Sequence, residues 1–294
     1  MSSNNNHFFV TGSSCFFGKV LLRELLTVDP QLRLTLLEHH SRVVVEEKYR
    51  DRVVIVTGSL EDLRTLHGVD LVIHLAAITH TKNKDLYRAV NKEGTEQLLK
   101  LAKDAEVKHF VYVSTTALGD SCGAYGASKL EAEKILQQGG VPHTIVRFAE
   151  VYGALGNEGI ERLITIAKRF PVVPYITSTF LAPVYVEDAI VALRTAIYRS
   201  PENKTYIVAG PERISFYEAI SVIASVFHKK VVCIPIPRVF LQIAKRAFFF
   251  LFAPDQVERL ICEKDYHSNL AIQDLKFSPR SFREGLKKYR IERP

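Results

Sequence analysis

His7-Phe8-Phe9-Val10-Thr11-Gly12-Ser13-Ser14-Cys15-Phe16-Phe17-Gly18 carries the strongest local signal in this 294-residue chain. Its opening half is a short apolar run that ends at a glycine, as a buried strand does, and from Gly18 to Thr27 apolar residues recur at helical spacing. A strand that passes into a helix through so tight a turn leaves the first helical N–H groups pointing together at one place. That place suits a pyrophosphate. Gly12 permits the turn and Gly18 lets helix and strand lie close. The middle position, where backbone must approach phosphate, is Cys15, whose Cβ narrows the approach. The pattern is weak in isolation, since any tight strand-to-helix turn can use it.

The surrounding pattern adds weight. Arg33–Glu38, Val53–Thr57, Leu71–Leu75, His109–Ser114 and Thr144–Phe148 read as further strands. Gly18–Thr27, Leu86–Ala105 and Ala124–Gln138 read as amphipathic helices between them, so the expected fold is an α/β, Rossmann-type doubly wound parallel sheet covered on both faces. Glu38 falls at the end of the second strand, 20 residues after Gly18, where a carboxylate can accept hydrogen bonds from an adenosine ribose and repel a 2′-phosphate. This favours NAD over NADP, although His39 and Arg42 follow and could accommodate a phosphate instead. A solvated carboxylate at a strand end is the plainer reading of Glu38.

Beyond residue 150 the alternation loosens. Gly159–Arg169, Val186–Arg199, Ser215–Phe227 and Val239–Phe252 read as helices and Thr205–Val208 as a strand. The expected division is a cofactor-binding domain over residues 1–150 and a smaller substrate-binding lobe over 151–294, with about 184–209 returning to the first domain. Composition is that of a globular protein, 47% hydrophobic and 24% charged. Cys15, Cys122, Cys233 and Cys262 show neither CxxC nor zinc-ligand spacing and read as reduced, buried thiols. With a polar Met1–His7 that lacks the features of a signal peptide, they imply a reducing, cytoplasmic setting, and no metal is expected. The formal charge of +7 is confined to one segment. Lys229–Arg293 holds 14 Lys/Arg against 7 Asp/Glu, which reads either as a site for an anionic partner or as a solvated basic surface.

Further motifs follow in order: Ser59-Leu60-Glu61-Asp62, His74-Leu75-Ala76-Ala77, Asn91, Val113-Ser114-Thr115-Thr116, Tyr125-Gly126-Ala127-Ser128-Lys129, Arg147-Phe148-Ala149-Glu150-Val151-Tyr152-Gly153 and Pro183-Val184-Tyr185-Val186-Glu187-Asp188. In this order the chain resembles, over nearly its whole length, the extended short-chain dehydrogenase/reductase superfamily of the NAD-dependent epimerase/dehydratase type. The resemblance implies an enzyme that transfers hydride at a secondary alcohol or ketone, as a dehydrogenase/reductase, an epimerase or a dehydratase. It places Gly12, Ser14, Cys15, Phe16, Phe17, Gly18, Glu38, Ser59, Leu60, Leu75, Ala76, Ala77, Ser114, Tyr125, Lys129 and Phe148 at the cofactor. Tyr125 and Lys129, four apart on a helix, share a face, and an ammonium beside a phenol favours the phenolate needed for proton exchange. A hydroxyl at the strand end orients the substrate oxygen: Thr115 first, Thr116 second, with Ser114 adjoining. A small-molecule substrate and, as is common in the superfamily, a homodimer are implied.

The departures are also informative. Where nucleotide-sugar members carry an Arg-Asp pair, this chain has Leu181 and Ala182, and Glu150 stands where they carry Asn; a carboxylate there would repel a diphosphate. Residues 237–254, too short and too charged to span a bilayer, form an amphipathic pattern with Arg238, Gln242, Lys245 and Arg246 on a narrow polar face. They read as a lid or core helix, as a wall for a hydrophobic substrate, or as a peripheral contact with an anionic membrane surface. Together with the run from Asp274 to Leu286, this region resembles the respiratory complex I accessory-subunit branch, which keeps its nucleotide as a structural element. The alternative function is therefore a nucleotide-binding scaffold or redox sensor attached to a membrane or a larger assembly. His80 opens toward the cleft, as a substrate contact or a solvated loop histidine. No nucleic-acid-reading motif is present, and no nucleic-acid partner is expected.

Overall fold

A computed structural model describes residues 6–153, 159–240 and 256–292. The core is a seven-stranded sheet of β1 (His7–Thr11), β2 (Arg33–Glu38), β3 (Val53–Thr57), β4 (Leu71–His74), β5 (His109–Thr115), β6 (His143–Phe148) and β11 (Lys204–Val208). The strands lie in the order β3-β2-β1-β4-β5-β6-β11 and every pairing is parallel. Parallel strands need crossovers, and the apolar runs of β1 and β4 require cover on both faces. On one face α1 (Phe16–Val28) and α5 (Val186–Tyr198) supply Leu21, Leu25, Leu193 and Ile197; on the other α2 (Gly94–Asp104) and α3 (Gly123–Gln138) supply Leu98, Leu99, Ala132 and Leu136. Strand order reverses between β1 and β4, so a crevice opens beyond their carboxyl ends.

The smaller elements are β7 (Val151–Tyr152) paired with β10 (Val184–Tyr185), β9 (Phe180–Leu181) with β12 (Ile214–Ser215), and β8 (Val172–Ile176) with β13 (Val232–Ile236). These short strands carry little periodicity and sequence reading misses them. Around them α4 (Gly159–Arg169), α6 (Phe216–Val226) and α9 (Phe282–Glu292) share a second core with Tyr152, Tyr185 and Phe282. Two short helices, α7 (Gln256–Ile261) and α8 (Asn269–Leu275), come before α9. The helix expected over Val239–Phe252, and with it the amphipathic stretch 237–254, lies almost wholly outside the described residues. Among those that are described, no helix is long and apolar enough to cross a membrane.

Three expectations need correction. The single helix expected over Leu86–Ala105 is a π-helical segment, Tyr87–Glu93, followed by α2, because the wider turn lets Asn91 bond to the loop after β4. Sheet cover fails at β3, where Val54 is 60% exposed: the connection from β3 to β4 contains no helix and buries only Leu60, Leu63, Leu66 and Val69. The four cysteines are not all reduced, buried thiols. Cys122 and Cys262 form a disulfide, Cys15 is exposed and Cys233 is half-buried. Spacing could not show this, since the pair are 140 residues apart and meet only through the fold.

Candidate active site

The floor of the crevice is built from the end of β1. Gly12 has φ +73° and lies so close to the next strand that a Cβ would stand 2.6 Å from the Ala76 nitrogen. At Gly18 a Cβ would meet the Gly12 carbonyl oxygen at 2.6 Å, so both positions require glycine. Cys15 caps α1, its Sγ accepting the Gly18 N–H at 3.2 Å, which gives the departure from glycine a structural use. Phe17 packs edge-on against Phe148, with ring centroids 5.1 Å apart, and joins the glycine turn to the end of β6. The Ser13 and Ser114 hydroxyls are buried without a protein partner, an arrangement that suits a polar ligand in the crevice.

A directional chain of hydrogen bonds holds β1 to β4. The Ala76 N–H donates to Thr11 Oγ1 (3.2 Å), Thr11 Oγ1 donates to His74 Nδ1 (2.6 Å), His74 Nε2 donates to Thr95 Oγ1 (2.9 Å), and Thr95 Oγ1 donates to the Asn91 carbonyl (2.7 Å). This polarity needs neutral His74. Burial, with a smaller push from Lys129, brings its pKa down to about 3. The Asn91 side chain continues the chain of contacts, with Oδ1 accepting the Ile78 N–H (2.8 Å) and Nδ2 donating to the Ile78 carbonyl (3.0 Å) and Ser128 Oγ (3.1 Å). Ser128 in turn donates to the Tyr125 carbonyl (2.8 Å), so the loop after β4 and the first turns of α3 are one unit.

Tyr125 and Lys129 are both buried on α3, as their spacing implies. Lys129 Nζ donates to the Val113 carbonyl (2.8 Å) and stands 4.0 Å above the Tyr112 ring. Burial brings its pKa down to about 7, with Glu133 acting in the opposite sense, so its charge is poised near neutrality rather than fixed. Glu133 itself, 1% exposed in its side chain, is matched by Arg147 of β6 through a forked pair at 2.5–3.1 Å. Gly126 is the missed requirement of this helix. A Cβ there would meet Cys122 Cβ at 2.6 Å and the Gly119 carbonyl at 2.8 Å.

Among the hydroxyls at the end of β5, Thr115 accepts the Ala117 N–H (3.1 Å) and Thr116 is buried. Ser59 gives both its N–H and its hydroxyl to Asp62 (2.7 Å each), while Leu60 is a core anchor that packs against Gly94. Glu38 accepts the Val43 N–H at 2.6 Å and shares with Arg42 the lining of an open cavity of about 710 Å³. His80 is half-buried, and its Nδ1 bonds to Thr79 Oγ1.

The substrate side differs from expectation at Glu150. Rather than standing as an unbalanced charge, its carboxylate accepts from Lys264 (2.9 Å), Tyr266 (3.0 Å) and the Ala182 N–H (3.1 Å). Leu181 and Ala182 are buried at 2% and 1% exposure. Arg259 of α7, which no motif marks, lies 4.1 Å from the Tyr125 ring centre and donates to the Thr79 carbonyl at 2.6 Å. Among the described residues no cluster of metal-ligating side chains occurs.

Residues 35–248, which carry the buried Tyr125–Lys129 pair, match the RmlD substrate binding domain. The chain belongs to that family. Its resemblance to NAD-dependent epimerases and dehydratases is thereby borne out. This RmlD-family chain is 29% identical over 198 residues to a ceramide reductase of Caulobacter vibrioides, covering 65% of this chain and 61% of the reductase. It is 28% identical over 230 residues to the 4-hydroxy-2-methyl-3-oxo-4-farnesyl-3,4-dihydroquinoline-1-oxide ketoreductase of Stigmatella aurantiaca, covering 68% and 67%. The chain thus spans less than two thirds of the ceramide reductase. Among solved structures it is similar to a dTDP-glucose 4,6-dehydratase of Streptomyces venezuelae that holds NAD, with TM-score 0.76 and 19% identity over 98% of this chain and 97% of that one. At that identity the likeness is one of fold.

Proposed function

We propose that this chain is an NAD-dependent oxidoreductase or isomerase that transfers hydride at a secondary alcohol or ketone. The observation that carries this is the buried Tyr125–Lys129 pair, locked through Ser128 and Asn91 to the loop that borders the glycine turn. In this reading Tyr125 exchanges the proton of the substrate oxygen, Lys129 biases the phenol and holds the nicotinamide ribose, and Thr115, or Thr116 beside it, orients the oxygen. The cofactor, when bound, supplies the hydride. On the same reading Gly12, Ser13, Gly18 and Ser114 border its crevice and Glu38 takes its adenosine ribose, which the position of the Glu38 carboxylate in an open cavity wall supports.

The substrate reading departs from nucleotide sugars. Buried Leu181 and Ala182 and a fully engaged Glu150 provide no cationic grip for a diphosphate at that place, and two sequence relatives are named as reductases of a ceramide and of a farnesylated quinoline. An apolar ketone or its alcohol is the substrate class we infer, bound mainly by residues 151–294. The decisive test is a cofactor titration followed by turnover. Wild type should bind NAD more tightly than NADP and Glu38→Ala should weaken NAD, read by native mass spectrometry. Tyr125→Phe should lower kcat on a long-chain ketone with NADH by about 100-fold or more while leaving cofactor affinity unchanged. Equal turnover by wild type and Tyr125→Phe would remove the proposal.

A further inference from the structure

Arg259 stands in an unusual place for a permanent cation. Its guanidinium is 4.1 Å from the centre of the Tyr125 ring, and one of its nitrogens donates to the Thr79 carbonyl in the loop after β4. The helix that carries it, α7, is fixed three residues later by Cys262, which is bonded to Cys122, and Cys122 directly precedes α3 and lies three residues before Tyr125. A covalent tether and a hydrogen bond therefore hold one guanidinium on the face of one phenol. Arg238 bonds to the Ile261 carbonyl and adds a further hold on the end of α7.

We propose that Arg259 is a positioning residue that favours the phenolate of Tyr125, and that the Cys122–Cys262 disulfide keeps it in place. The inference rests on reading Tyr125 as the proton-exchanging group. An arginine stays protonated across the working pH range, and a cation within about 4–6 Å of an acid lowers its pKa by about one unit or more. Three other described groups near Tyr125 differ in kind from this permanent cation. Lys129 on its own helix is buried and poised near neutrality, Tyr87 from the π-helical segment is edge-on at 6.0 Å, and Tyr112 of β5 is a buried phenol. Glu258, next to Arg259 on α7, is the nearest opposing charge in sequence.

Reduction would release the device. A dithiol such as dithiothreitol breaks the S–S bond, gives its two electrons and two protons to form the Cys122 and Cys262 thiols, and is itself oxidised to a cyclic disulfide. With the tether cut, α7 is held to this part of the site by hydrogen bonds and packing alone.

The test reads Tyr125 directly. The ultraviolet phenolate titration of the wild type minus that of Tyr125→Phe gives the Tyr125 midpoint. That midpoint should rise by about one pH unit in Arg259→Met, stay near the wild-type value in Arg259→Lys, and rise on reduction or in Cys262→Ser. Turnover of a long-chain ketone should show the same displacement of its pH profile in the same variants. A Tyr125 midpoint that is unchanged in Arg259→Met, with or without faster turnover, overturns the inference; faster turnover would mark the guanidinium as an obstruction. A midpoint that shifts in a protein with no ketone turnover upholds the Arg259–Tyr125 coupling and instead sinks the enzymatic reading.

Discussion

His74 shows how much a single side chain can commit. It lies within a motif legible in the sequence, yet what it does depends on Thr11 and Thr95, which bond to it from two separate elements, and on the Asn91 carbonyl that takes the Thr95 proton. Held neutral with a pKa of about 3, it resembles His109, which burial brings down to about 4. The unfolded chain takes up protons on both imidazoles below about pH 6.5 while the folded chain does not, so stability falls as pH drops from that value toward the folded pKa values. Urea unfolding should show a loss of about 2 kcal/mol per histidine between neutral pH and pH 5, and His74→Gln should remove its share of that slope. Tyr125 and Lys129 were legible because a four-residue spacing is a statement about one helix face. Arg259 was not legible, because a cation reaching a ring across 134 residues leaves no local pattern.

At the level of elements, helix α3 starts within a residue of where its apolar spacing predicts, but its support is hidden from the sequence. The forked Arg147–Glu133 pair ties it to β6 with Glu133 wholly buried, and leaving that carboxylate unmatched is expensive. Arg147→Met should destabilise the fold by about 3 kcal/mol and lower NAD affinity together with it, whereas Glu133→Gln combined with Arg147→Met should recover part of the loss, as a double-mutant cycle in urea will show. The π-helical segment is the contrary case. Its apolar spacing continues smoothly into α2, so periodicity alone reads one helix. The widened turn follows from Asn91 satisfying the Ile78 backbone, a contact with a distant loop.

Across the whole molecule, the basic excess of the C-terminal segment is partly spent inside the protein. Lys264 meets Glu150, Arg280 meets Asp188 through a forked contact at 2.8–3.1 Å, and Lys288 meets Glu187, so cations of one segment neutralise acids of the preceding one. Arg280→Leu should cost about 2 kcal/mol in urea unfolding, less than a dry pair because the arginine is partly exposed, and should loosen α9 first by hydrogen exchange. Sequence by itself determined the parallel sheet, the glycine turn at its reversal and the Tyr125–Lys129 face, because strand alternation, turn chemistry and helical spacing are all written within a few residues. Tertiary structure alone decided the Cys122–Cys262 bond, the neutralisation of Glu150, the short strands of the lobe and the place of Arg259. Each of these joins groups far apart in the chain, and their meeting is set by how buried surfaces pack, which no local pattern records.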